Sequence, residues 1–147
     1  MTVSIIDSVQ LDGGITAKVW VYNYSGGRGT DTNYVYQAGD TIRFLDQTKS
    51  YIVRQYIVPL NLHNSWQYVQ GIDDVTVDSQ SNIIVGQNYF SNAFNINGYA
   101  GYPDAIFNID EWIKNNVGIV KRHFDPVDEL IDPRHVIEWS LINFHLK

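Results

Sequence analysis

The chain has 147 residues, 16 Asp or Glu against 10 Lys or Arg, and no cysteine. That length suits one domain with a real core, and the missing cysteines exclude a disulfide scaffold, a thiolate zinc site and a cysteine nucleophile. No Lys or Arg occurs between Arg54 and Lys114, where Asp73, Asp74, Asp78, Asp104, Asp110 and Glu111 all fall; the centre therefore lacks the clustered cations that nucleic acid or an anionic membrane surface requires.

The N-terminus, MTVSIIDSVQLDGG, has no basic flank and no long apolar run, and no segment is long and apolar enough for a membrane-spanning helix. VSIIDSV (3–9) and ITAKVWVYNY (15–24) are rich in β-branched and aromatic residues and are joined by LDGG, the composition of a hairpin. In the second run Ile15, Ala17, Val19, Val21 and Asn23 share one face, expected to be core. Lys18, Trp20, Tyr22 and Tyr24 share the other, expected to be aromatic and partly wet. The loop SGGRG (25–29) lacks the closing Gly-Lys-Ser/Thr of a phosphate loop and reads as a hairpin tip.

Two more strands are expected over 33–46 and 49–60, with Gly39-Asp40 turning the chain just before Thr41. DVTVDSQSNIIVG (74–86) carries two short β-branched runs around DSQSN and reads as another hairpin.

NYFSNAFNINGYAGYP (88–103) has five aromatic rings and four asparagines, and from Ser79 to Pro103 there is no ionisable charge. Asparagine brings a donor and an acceptor, tyrosine a stackable face with a polar tip. Such a surface buries against another without desolvating a charge, as interface cores do. Tyr89, Phe90, Phe94, Tyr99 and Tyr102 are the candidate anchors, and Trp66 a further stacking candidate.

FNIDEWIKNNVG offers Asn108 as an N-cap, Glu111 three positions on, and Gly118 as a stop; the spacing predicts a short helix. Asp125-Pro126 and Asp132-Pro133 read as openings of a helical turn. Residues 133–147 suit helix or strand equally. The organisation expected is one domain, a β-rich body over 1–118 with a C-terminal arm over 119–147. Trp139, Leu141 and Phe144 of that arm have apolar surface that needs a partner. The fold class is mainly β, an antiparallel sandwich or small barrel with one or two short helices near the C-terminus.

His123, Asp125, Asp128, Glu129, Asp132 and His135 crowd 13 positions, but their spacing fits no metal-ligand pattern, and the Asp-Pro caps account for two of the acids. His63 and Ser65 lack a glycine-framed nucleophile turn. The chain is expected to be non-catalytic, with no metal and no cofactor.

Tyr36-Gln-Ala-Gly39-Asp40-Thr-Ile42-Arg-Phe44 followed by Tyr51-Ile52-Val53 resembles a Tyr-x-x-Gly-Asp-x-Val-x-aromatic … Tyr element. That element occurs in small β-modules of bacteriophage tail and head appendages and in chitin-binding-type carbohydrate-binding modules. The tryptophan pair that usually follows in the chitin binders is missing. The resemblance implies a strand-turn-strand unit and, with the neutral segment and the apolar terminus, a structural or attachment protein of a virion. Its partners would be other virion subunits or copies of itself, with neither nucleic acid nor membrane. An extracellular module binding a glycan is the alternative.

Overall fold

The computed structural model describes residues 2–23, 29–69, 72–102, 105–126 and 137–140, of which 2, 72–73, 100–102, 105–107, 124–126 and 137–140 are described by backbone alone. The fold is mainly β and antiparallel, as expected, in two compact units: Met1–Pro59 with Tyr68–Gln70, and Leu60–Gln67 with Gly71–Lys147.

In the first unit, β1 (Thr2–Gln10), β2 (Thr16–Asn23), β3 (Thr30–Ala38), β4 (Thr41–Leu45) and β5 (Ile52–Ile57) follow one another as neighbours in a single sheet. The expected β1–β2 hairpin is present, closed by a 3-10 turn over Asp12–Gly14. Gly39 and Asp40 make the turn into β4. Between β4 and β5 the Asp46 carboxylate accepts hydrogen bonds from the Ser50 amide (3.1 Å) and the Tyr51 amide (3.2 Å), tying off a loop that has little apolar content of its own. The expectation for β2 holds for half of its residues. Ala17 and Val19 are buried on one face, but Tyr22 on the other face is buried too, so this sheet hides side chains on both sides.

The second sheet runs β11 (Ile137–Ser140), β10 (Gly118–Pro126), β9 (Ala105–Lys114), β8 (Asn88–Tyr102), β7 (Ile72–Val85) and β6 (Ser65–Val69). Three expectations are corrected here. The hairpin at DSQSN is one continuous strand, β7, whose partner is β8; the turn falls later, at Gly86-Gln87, where Gly86 takes φ 61. A two-residue hairpin turn needs that left-handed backbone at its first position, which glycine adopts without strain. The polar DSQSN residues stay in the ladder because Asp78 is an extra residue bulged out between Val77 and Ser79.

The helix expected over 108–118 is instead β9, a turn over Asn115–Val117, and β10. Read at period two, Ile109, Glu111 and Ile113 fall on one face and Asn108, Asp110 and Trp112 on the other. Ile109 and Glu111 bury completely, which a one-sided surface helix would not achieve. Asp125-Pro126 likewise continues β10, opposite Asn108 and Phe107, and opens no helical turn. Residues 118–126, placed by the sequence reading at the body's end and in the arm, are thus an interior strand of the sheet. Within the open stretch 133–147, residues 137–140 are strand; Asp132-Pro133 lies outside the described residues.

One face of this sheet carries Val75, Val77, Ile96 and Ile109, all with no exposure. On the other face Val85, Phe90, Ala93 and Val120 form a buried cluster edged by Ile83, Trp112 and Val117.

Candidate functional site

The first unit gathers an aromatic surface around a buried cation. Register places Arg54 of β5 opposite Phe44 of β4, and its guanidinium lies 4.1 Å above the Phe44 ring. From there the side chain crosses the face of the sheet, past β3, and donates from Nη2 to the Tyr22 hydroxyl on β2. Trp20 meets Phe44 edge-on at 5.6 Å, Phe44 meets Tyr56 at 5.8 Å, and Tyr56 meets Tyr68 at 5.6 Å with their hydroxyls hydrogen-bonded at 3.2 Å.

Arg54 is 9% exposed, and its buried Nε has no hydrogen-bond partner among the described residues. None of the described carboxylates forms an ion pair with it. A cation over an aromatic face gains about 0.5–2 kcal/mol, whereas taking an ion out of water costs several. The guanidinium is therefore buried with less compensation than its desolvation costs. Sequence reasoning missed it, because no local pattern links position 54 to position 22; the only trace was a charged residue inside the mostly apolar strand IVRQYI.

The same unit leaves β1 at the edge of its sheet, paired with β2 alone. Ile5 is 58% and Ile6 64% exposed, and Val3 is exposed beside them. The strand carries no lysine, arginine or proline, three of the usual protections of an edge; it has a bulge at Ile6 and one charge, Asp7.

In the second unit the neutral segment is a strand, β8, and its aromatic residues divide. Phe90 and Phe94 are buried, as is Trp66 on β6, so these three are core residues and not surface anchors. Tyr89 is 63% exposed and stands in register with Ile84, 75% exposed, at the β7–β8 hairpin tip. Tyr99 is exposed further along β8. Tyr102 and Trp139 lie on β8 and β11 by backbone placement, with side chains outside the description; Leu141 and Phe144 lie outside the described residues.

Polar residues cross the same sheet in register: Asn97 opposite Asp110, Asp110 opposite His123, and His123 opposite Glu138. Asn95, buried, donates from Nδ2 to Asp110 Oδ1. On the opposite face Arg122 Nε donates to Glu111 Oε1 in a buried ion pair. Among the described residues no three His, Asp or Glu gather closely enough to hold a metal ion, and no helix is long and apolar enough to cross a membrane. No protein-family model matches the chain, and neither a curated protein nor a solved structure matches it.

Proposed function

We propose that the chain is a non-catalytic assembly or attachment protein, a virion subunit, whose chemistry is the burial of uncharged sheet surface against a neighbouring subunit or another copy. The observation that carries this reading is the open β1 edge. Its outer row of backbone N–H and C=O groups, with Ile5 and Ile6 exposed beside it, is a template for another strand. Residues 1–59 hold five acids and five Lys or Arg, so two copies meet there without net repulsion. The placement in a virion draws on the likeness of the Tyr36–Tyr51 element to phage appendage modules.

The test is sedimentation velocity of the full chain over a concentration series. Reversible self-association is expected, abolished when Ile5 and Ile6 are both changed to Lys while the circular dichroism spectrum is unchanged. A monomer at every concentration, identical in both proteins, would remove the support for assembly through this edge.

A saccharide-binding reading has one observation in its favour. Exposed Tyr99 and Asn97 stand on the same face of β8, a ring beside an amide, next to the row containing Asp110. Titration with neutral oligosaccharides, followed by tryptophan fluorescence, tests it; Tyr99→Ala removes the response if Tyr99 is the platform.

A further inference from the structure

The geometry points to Arg54 as the receptor for a carboxylate, held on the aromatic face of the five-stranded sheet together with Tyr22. Tyr22 and Trp20 stand opposite Val3 and Ile5 of β1, but the site does not rest on the assembly reading.

A guanidinium offers a planar fork of parallel N–H groups along each edge, and the group that matches two such donors is a carboxylate. The Arg54 fork on the Nε side consists of Nε and Nη2. Among the described residues Nε, which is buried, has no hydrogen-bond partner, and Nη2 makes one bond, to the Tyr22 hydroxyl. Nη2 carries two hydrogens, so one remains for a ligand, and the Tyr22 hydroxyl can turn its own proton toward the second carboxylate oxygen. Both donors are fixed before any ligand arrives: Phe44 supports the guanidinium from beneath at 4.1 Å, and Tyr22 is itself buried.

Nine-tenths burial makes such a bond strong and makes the empty state costly. Trp20, packed edge-on to Phe44 and only half-buried, is the part of the aromatic wall closest to solvent and so the side chain that a ligand would displace. A simple structural role for Arg54 leaves the open Nε unexplained, since a methionine would fill the same space without a charge.

The carboxylate can come from an acidic sugar or from a free peptide C-terminus, and the test separates them. The full chain is titrated with glucuronate, with an N-acetylated dipeptide bearing a free C-terminus, with neutral glucose, and with sodium chloride at matched ionic strength. Thermal unfolding and tryptophan fluorescence are read in each series.

At tenfold saturation the unfolding temperature is expected to rise by about 3–5 °C with at least one carboxylate ligand. Glucose and sodium chloride are expected to leave it unchanged. A response to glucuronate alone identifies an acidic sugar, and one to the dipeptide alone identifies a chain end. Arg54→Met is expected to fold, because it replaces a buried charge with an apolar chain, and to lose the response. Arg54→Lys, a point donor without the fork, is expected to weaken it at least tenfold. The inference is overturned if neither carboxylate acts beyond the salt control, if glucose acts equally, or if Arg54→Met responds like the parent protein.

Discussion

Phe90 and Ala93, three positions apart on β8, pack in the same buried cluster, although an uninterrupted strand sends residues of odd separation to opposite faces. The ladder explains it: Phe90 pairs with Ile83 and Ala93 with Ser81, so β8 spends three residues where β7 spends two. Asn92 sits in that bulge at φ 52, and its amide donates to Asn82 Oδ1 at 3.0 Å. The bulge changes which face every later residue of β8 presents. It leaves Tyr89 on one side of the sheet and Tyr99 on the other. Asn92→Val forces a β-branched side chain into left-handed backbone and should destabilise by about 1–3 kcal/mol, whereas Asn92→Gly should be close to neutral. Urea unfolding followed by far-ultraviolet circular dichroism checks both.

Glu111 and Arg122, directly opposite on β9 and β10, are a buried ion pair within an apolar face. Removing one partner leaves the other's charge uncompensated by the pair in low dielectric, so Glu111→Leu or Arg122→Met alone should cost about 3–5 kcal/mol. Replacing both together with Leu and Met should recover most of that loss. A double-mutant cycle in urea measures the coupling; losses that simply add in the double variant would show that the pair contributes nothing.

Tyr22→Phe removes the hydrogen-bond acceptor that Arg54 has among the described residues and should destabilise by about 1–3 kcal/mol. Arg54→Met in the Tyr22→Phe background should restore stability, because the orphaned charge disappears with it. Additive losses in the double variant would show that the two side chains act independently.

How much of this was legible follows from the reach of each signal. The β1–β2 hairpin and the turn at Gly39-Asp40 are written in adjacent residues, and both were found. Asn108, Glu111 and Gly118 mimic a helix's cap, third residue and stop. The competing signal, Ile109-Glu111-Ile113 at period two, was hidden by a charged residue in the middle of the buried face. Glu111 only makes sense as a core residue once Arg122 stands opposite, and that pairing is tertiary. The long β7 escaped because its bulge at Asp78 looks like a turn in sequence. The neutral segment was recognisable as unusual, but its composition did not show that Phe90 and Phe94 serve the protein's own core. Arg54 and Tyr22 were beyond reach, 32 residues apart and joined across two intervening strands, β3 and β4.

Among the described residues Asp46 has a carboxyl of altered acidity. Its slight burial raises the carboxyl's pKa, and the hydrogen bonds from the Thr48 hydroxyl and from the amides of Tyr51, Ser50 and Thr48 outweigh that, leaving it below the ordinary carboxylate range. The folded state therefore favours the ionised form. Its contribution is full above the unfolded value, about pH 4, and fades as pH falls through the lower folded value. Asp46→Ala should be less stable than the parent at pH 7, and the gap should close toward pH 2. A gap that is constant across that range would mean that the loop owes nothing to the charge.

At Gly98 the backbone of β8 passes close to that of β7. A Cβ at this position would stand 2.7 Å from the Asp74 carbonyl oxygen and 2.8 Å from Val75 Cα, and both are backbone atoms of the facing strand. They cannot swing aside as a side chain would, so the strands must separate. Val75 and Ile109 on either side have no exposure, and separation would open a fully buried part of the sheet. Gly98→Ala is therefore expected to destabilise by about 1–3 kcal/mol, despite the usual gain from replacing a strand glycine. Hydrogen exchange should localise the loss to amides of β7 and β8 around the contact. An alanine variant as stable as the parent would show that the strands relax freely here, and that the close approach is not a requirement of the fold.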